Sequence, residues 1–267
     1  MSILPIVVLY DVDFHETNVY RTLLKQYPEE RILIYENSHE PQNMCYASKY
    51  VSYHHDLHNG GVSAAYNYGA VLARELGDID ALLLLDEDTR FGADYFSVLQ
   101  TACDSNPSVN LFVPQLLYGA HQSFSPIHRG HRKRRGAFLD EGLYSLRDYL
   151  PVNSGACIRL SAFEQAGGYN PDIRLDFADF DFFSRLAIAS DSFYRVGSTA
   201  FQSFSNEETQ VDKLFRRYQF YIEGARGARS NRQIRSMVGM EVARHTLALT
   251  VRTHSFRFIN YLIKQLR

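Results

Sequence analysis

Apolar runs alternate with helix-period stretches along the first part of the chain. "ILPIVVLY" (3–10) and "RILIY" (31–35) are short, β-rich and apolar. Each predicts a strand. "ETNVYRTLLKQY" (16–27), between them, has helix-like spacing, and "YVSYHH" (50–55) predicts a third strand. In "GVSAAYNYGAVLARELG" (61–77), Ala64, Ala65, Tyr68, Val71, Leu72 and Leu76 recur at three and four. That spacing predicts one helical face, stopped by Gly77. "ALLLL" (81–85) is a continuous apolar run that suits a strand buried on both faces, and "VNLFVP" (109–114) is another. Strand and helix in alternation predict an α/β fold with right-handed crossovers.

Beyond about residue 115 the alternation breaks. "YGAHQSFSPIHRGHRKRRG" (118–136) reads as a long polar, basic loop. "SGACIRLSAFEQAGGYNPDI" (154–173) reads as a strand, a short helix and a Gly-rich turn. "DFADFDFFSRLAIA" (176–189) predicts a helix from about residue 179. The last 55 residues predict one or two helices with arginine every few positions. No internal repeat or low-complexity segment interrupts the chain.

Composition narrows the class. With 267 residues and 45% hydrophobic side chains the chain can bury a sizeable core, and a net charge of −2 argues against disorder. No apolar stretch reaches the ~18 to 20 residues a bilayer span needs. The start, "MSILPIVVLYD", has no basic leader region and no small-residue cleavage site, so it reads as the first strand. Cys45, Cys103 and Cys157 are widely spaced, which fits a reducing cytosol and neither a disulfide framework nor a zinc site. Charge is uneven. Residues 213–267 hold twelve Lys or Arg and two Glu, while residues 1–212 hold sixteen basic and twenty-eight acidic side chains. Such a split suits a tail that meets an anionic partner.

Three stretches carry candidate chemistry. "LLLLDEDT" drives an apolar strand into Asp86, Glu87 and Asp88. In an open α/β sheet, ligands sit outside the carboxyl ends of the strands. Strand periodicity would turn Asp86 and Asp88 to one side and Glu87 to the other. Two converging carboxylates need a cation or a shared proton, and oxygen ligands few in number suit Mg²⁺ or Mn²⁺. The alternative is that these acids cap the next helix near Ala93 or face water. In "HNGGVSAAYNYGA", Asn59, Gly60 and Gly61 precede a helix whose N-terminus would favour a phosphate; the alternative is an ordinary glycine turn. The pattern is not G-x-G-x-x-G, which disfavours a dinucleotide fold. In "RLDFADFDFFSR", Asp176, Asp179, Asp181 and Arg185 interleave with phenylalanines. A partly desolvated carboxylate is a better base; an acid-rich helix N-terminus is the alternative. The histidines of "HHDLH" (54–58) read as polar loop residues.

"IVVLYD", "ILIYENS", "NGGVSAAYNYG", "LLLLDEDT", "SGACIRLSAFEQAGGY" and "DFADFDFFSR" follow one another as in family 2 glycosyltransferases of the GT-A fold, and the chain resembles their bacterial rhamnosyltransferase-like branch. Asp176, Phe177, Asp179, Asp181, Phe182 and Arg185 keep that branch's spacings. The resemblance covers roughly residues 3 to 190. It implies a Rossmann-like, mainly parallel sheet flanked by helices, with 1–205 as the catalytic domain and 206–267 as a basic helical extension. It implies an inverting, metal-dependent transfer of a sugar, rhamnose among the candidates, from a dTDP- or UDP-sugar to a hydroxyl of a bacterial surface glycan, commonly lipid-linked. Tyr10, Asp11, Glu36, Asn59, Gly61, Asn67 and Asp86 fall at donor-binding positions. Asp88, with Asp86, falls where the family holds Mg²⁺ or Mn²⁺. Asp179 falls at the general base, supported by Asp181, Arg185 and Asp176. Glu36 stands where the family usually has Asp.

The basic regions carry their own expectations. The loop 128–136 would grip an anionic acceptor or close over the diphosphate, or lie solvated. The tail would rest on anionic lipid; a solvated helix face or a homodimer interface are the alternatives. Nucleic acid is disfavoured, since the acidic body repels phosphates. The expected location is cytoplasmic, with peripheral attachment at the inner face of the plasma membrane as its stronger form. Two other readings stay in view. A sugar nucleotidyltransferase would need a Gly-rich basic loop that "YDVDFHETN" lacks, and a non-catalytic sugar-binding scaffold would have lost acids that are present here.

Overall fold

The computed structural model describes residues 1–129, 136–202 and 210–266. The first half runs β1 (Ile3–Leu9), α1 (Asn18–Thr22), β2 (Ile32–Glu36), β3 (Val51–His55), α2 (Gly61–Leu76), β4 (Ala81–Asp86), β5 (Thr89–Phe91) and α3 (Tyr95–Ser105). There follow β6 (Leu111–Tyr118), β7 (Gln122–Ser125), β8 (Ile127–His128), β9 (Gly142–Ser145), β10 (Tyr149–Leu150), β11 (Cys157–Arg159) and α4 (Leu160–Gln165). The chain ends with α5 (Ala178–Ala189), β12 (Ser192–Gln202), α6 (Val211–Ala228), α7 (Arg235–Thr253) and α8 (Arg257–Leu266). One sheet runs in the order β3-β2-β1-β4-β11-β6-β12-β5, with β7 on β6 and β9 on β12; β8 and β10 form a separate ribbon. Pairs among β3, β2, β1 and β4 are parallel, as is β6 with β12, while β11 wedges in antiparallel.

The leucine run does what its pattern predicts. Leu82 and Leu84 enter the core on one face of the sheet; Ala81, Leu83 and Leu85 enter the core on the other. All are fully buried, each leucine contributing about 1.5–3 kcal/mol. Register then aligns the strand ends: Val8 sits opposite Asp86 and Leu9 opposite Glu36. The ends of β1, β2 and β4 therefore deliver their next residues to one edge.

Several expectations are corrected. Residues 16–27 do not form one helix; α1 is a single short turn flanked by 3₁₀ segments Phe14–Glu16 and Leu24–Gln26. Helix α2 forms, but it buries Val62, Ala65, Tyr66, Gly69, Ala70 and Ala73, whereas Tyr68 and Val71 are exposed. The reason is proximity to β1: a Cβ on Gly69 would lie 2.2 Å from Ile6 Cδ1, so small residues face the sheet. Strand β12 went unpredicted because "SFYRVGSTAFQ" mixes polar and apolar residues. Its register slips between Arg195 and Thr199, beside Pro114 of β6, where a proline has no N–H to give the ladder. The tail forms three helices rather than one or two. Tyr218, Ile222 and Ala225 of α6 and Val238 and Val242 of α7 belong to the same buried cluster as Phe182 of α5. The expected 205/206 boundary lies outside the described residues, as does most of the 128–136 loop. Among the described residues, no helix is long and apolar enough to cross a membrane.

Candidate functional site

The acids of "LLLLDEDT" stand at the edge where β1, β2 and β4 end. Strand β4 stops at Asp86, and Glu87 and Asp88 turn the chain into β5. Strand periodicity therefore does not reach Asp88. The turn still brings it beside Asp86: Gln202, at the end of β12, donates from Nε2 to Asp88 Oδ1 at 3.1 Å and also reaches Asp86. Ser154 Oγ donates to Asp86 Oδ2, and Tyr66 OH donates to Asp86 Oδ1 at 3.3 Å. Thr89 Oγ1 donates in turn to Ser154 Oγ at 3.1 Å. Glu87 reaches the other way but stays at the edge, accepting the Tyr10 amide at 2.9 Å.

No ion pair joins these three acids to any described residue. Their protons are held accordingly. Burial raises the Asp86 carboxyl, against the hydrogen bonds from Ser154, Tyr66 and Gln202. Burial and then the charge of Asp86 push Asp88 up to about 6. Burial pushes Glu87 up to about 7, opposed by the Tyr10 amide and reinforced by Asp88, Asp86 and Asp11. A desolvated acid cluster without a counter-charge is poised for a cation. Its donors are all oxygen, which fits a hard divalent ion, and Gln202 Oε1 beside them is buried with no hydrogen-bond partner among the described residues. No group of three or more His, Cys, Asp or Glu suits a metal among those residues, so substrate oxygens would have to complete a shell.

The donor-side positions divide. Tyr10 is exposed at the end of β1, and Asp11 follows at φ 52° with its amide on Ser38 Oγ at 2.9 Å. Glu36 is spent inside the protein. It accepts Tyr53 OH at 2.6 Å, Asn43 Nδ2 at 2.9 Å and the amides of Gln42 and Asn43. Burial would raise its carboxyl, but hydrogen bonds from Tyr53, Ser38 and those amides hold it below the usual range. The longer glutamate is what reaches the 42–43 loop.

The glycine turn before α2 also serves the chain itself. Gly60 N donates to Asp56 Oδ2 at 2.7 Å, Gly61 N to Asn37 Oδ1 at 3.3 Å and Val62 N to the Arg174 carbonyl at 2.8 Å. A Cβ on Gly61 would lie 2.0 Å from Arg174 O. These first amides of α2 have protein acceptors, and the glycine admits a backbone. Asn59 sits exposed at φ 47°. Asn67 clamps Tyr169, donating to its carbonyl and accepting its amide, each at 2.8 Å. His54 stacks on Tyr68 and His55 Nε2 meets the Ser38 carbonyl at 2.8 Å, so neither histidine of β3 joins the acid cluster.

The segment 174–185 places its acids differently. Asp176 grips Arg217 of α6 through both oxygens. Asp181 is buried and held by Arg185 at 2.9 Å and by Asn231 Nδ2 at 3.0 Å. Asp179 is half-buried in the first turn of α5, accepting the Phe180 amide at 2.7 Å. Its charge is felt by Tyr66 and Tyr169, whose rings meet edge to face at 5.1 Å and which also feel Asp86. Phe177, just before, is a buried aromatic at φ 73°, a conformation side chains with Cβ rarely adopt. Asp86 and Asp179 thus both act on the Tyr66–Tyr169 pair, Asp88 joins Asp86 through Gln202, and Asp176 and Asp181 serve packing.

Sequence reasoning missed Tyr66, Ser154, Tyr169 and Gln202. Ser154 and Tyr169 lie inside a quoted motif. Tyr66 also lies inside a quoted motif but off the helix face that was named, and Gln202 lies on a strand with no periodic signal.

No family model matches the chain, and no curated protein does. The fold does have solved counterparts. A crystal structure of GalNAc-T7 with UDP, GalNAc and Mn²⁺ aligns with TM-score 0.56 and 12% identity over 79% of this chain and 45% of that one. S. aureus TarS in complex with UDP-GlcNAc aligns with TM-score 0.57 and 11% identity over 84% of this chain and 66% of that one. TarS in complex with UDP gives TM-score 0.56 at 10% identity, over 89% and 68%. The chain spans less than half of the GalNAc-T7 chain. The likeness is one of architecture: a mainly parallel α/β sheet of the GT-A glycosyltransferase type, flanked by helices.

Proposed function

We propose that the chain is an inverting glycosyltransferase that moves a sugar from a nucleoside diphosphate to a hydroxyl acceptor. The observation that carries this reading is the pair Asp86 and Asp88, desolvated, bridged by Gln202 and without an ion-pair partner among the described residues, with Asp86 and Asp179 both acting on the Tyr66–Tyr169 pair. Asp88 and Asp86, with Gln202 beside them, would hold Mg²⁺ or Mn²⁺. When bound, such an ion offsets charge developing on the leaving diphosphate. Asp179 takes the proton of the acceptor hydroxyl as its oxygen bonds to the anomeric carbon. The bond to the diphosphate breaks on the opposite face, so configuration inverts. Tyr10 and Asp11, at the end of β1, would line the nucleotide side, with Glu87 holding the Tyr10 amide.

The bound UDP-GlcNAc of TarS and the UDP and Mn²⁺ of GalNAc-T7 support a nucleotide-sugar donor and a divalent ion. UDP and dTDP are the donor nucleotides to test, with rhamnose among the sugars. The acceptor class is a bacterial surface glycan, lipid-linked in its fullest form. Release of UDP or dTDP from a panel of nucleotide sugars, with Mn²⁺ and with EDTA, tests the reading. Donor turnover that EDTA abolishes is expected. Absence of release with every donor and acceptor sinks it and leaves the scaffold.

A further inference from the structure

Helix α7 is amphipathic in the wrong sense for a solvated helix. Its inward face, Val238, Val242, Thr246, Leu249 and Thr250, is buried and includes two threonines. Thr246 Oγ1 donates to the Val242 carbonyl at 2.6 Å and accepts from Tyr218 OH of α6 at 2.7 Å. The opposite face should be polar where it meets water. Instead Met240, Leu247 and Val251 recur there at helical spacing, exposed by 53%, 57% and 70%, and Phe256 in the turn to α8 is exposed by 71%. Alternating with this stripe are the exposed side chains of Arg244 and Arg252, and Arg257 follows Phe256. From Val211 to Leu266 the chain carries eleven Lys or Arg and three Asp or Glu.

We propose that this outward face of α7, with the Phe256 turn, is a docking surface for an anionic phospholipid bilayer. Apolar side chains at helical spacing with arginines along their flanks are what an interfacial helix presents: the apolar groups enter the acyl boundary and the guanidinium heads stay at the phosphates. A second copy of this chain fits less well, since it would set a strongly basic face against its own kind. Arg244 pairs with Glu241 at 3.3 Å and Arg257 with Asp212 at 2.6 Å on exposed surface, where ion pairs are weak enough to exchange for phosphates. Docking involves one stripe of side chains and no spanning segment. Because α6 also grips Asp176, the face is joined to the candidate site through packed helices. The surface stands apart from the transfer reading, because vesicle binding needs neither donor nor acceptor.

The test is flotation of the full chain with vesicles of phosphatidylcholine alone and of equal parts phosphatidylcholine and phosphatidylglycerol, at low and high salt. Binding to the anionic vesicles, weakened by salt, is expected. Leu247→Glu with Val251→Glu should reduce it at least about tenfold. Arg244→Gln and Arg252→Gln should each cost about fivefold. The milder pair Leu247→Ser with Val251→Ser should weaken binding in the same direction, and circular dichroism confirms that each variant folds. Equal binding to both vesicle types, no binding, or wild-type binding by folded Leu247→Glu, Val251→Glu protein overturns the proposal. So does a dimer that the same substitutions dissociate, which would assign the face to a second copy. Shifts in melting temperature with UDP, measured separately, report on the nucleotide site whatever the vesicles show.

Discussion

Two acidic clusters face the same region and have been solved in opposite ways. At 176–181, two of three acids are neutralised by the protein: Asp176 by Arg217, Asp181 by Arg185 and Asn231. Asp176 ties the segment before α5 to Arg217 of α6, and Asp181, paired within α5 to Arg185, also holds Asn231 of the turn between α6 and α7. At 86–88 the acids are as crowded, yet their partners are hydroxyls, an amide and a backbone N–H, and burial raises their carboxyls. A cluster that is purely structural acquires arginines. One that is to receive a cation must stay uncompensated until the ion arrives. Similar sequence chemistry therefore serves as scaffold in one place and as a receptive site in the other, with Asp179 as the acid of the scaffold segment that turns to the site.

This contrast can be broken in four places. The largest effect is expected at Asp179: Asn there should lower transfer by about 10²- to 10⁴-fold while UDP binding, read by calorimetry, stays intact. Turnover near the wild-type rate would refute the assignment of the base. Next, Asp181→Ala leaves the half-buried Arg185 without its ion partner, and chemical denaturation should register a loss of up to roughly 3–5 kcal/mol. A loss under about 1 kcal/mol would mean the pair is not structural. Third, Asp88→Asn should weaken Mn²⁺-dependent UDP binding by at least about tenfold and leave metal-free stability no worse.

The acids at 86–88 also set a pH signature. Asp88 rises from 3.8 to about 6 and Glu87 from 4.5 to about 7 on folding. The native state therefore holds protons that the unfolded chain has released. Their contribution is full below the unfolded values and disappears as pH climbs through the folded ones. Without metal, the wild type should lose melting temperature relative to Asp88→Asn between about pH 4 and 6, the window of Asp88, and Mn²⁺ should close that gap. A gap that widens in the other direction would contradict the assignment. The smallest effect is expected at the half-exposed Asp176–Arg217 pair, where Asp176→Asn should cost under about 1 kcal/mol.

What could be read from the chain by itself was periodic or covalently local. "ALLLL" declared a strand covered on both faces because every position is apolar, and the acids at its end followed from adjacency alone. Ala178–Ala189 was legible as a helix from its spacing, and the basic tail from its charge. What could not be read required neighbours distant in sequence. The face of α2 was read rotated: Ala64, Ala65, Leu72 and Leu76 do pack on the core, but Tyr68 and Val71 are exposed, and Gly69, whose smallness carries no hydrophobic signal, lies against Ile6. Glu36, a departure from the family's Asp, and Asn67 fall at donor positions by spacing, and in the fold both also bond to protein partners. Gln202 reaches Asp88 from 114 residues away along the chain. Tertiary structure also separated Asp179 from Asp176 and Asp181, because which carboxylate meets an arginine depends on helices packed from elsewhere. The sequence by itself determined where acids would stand; only the packing decided which of them remain without a counter-charge.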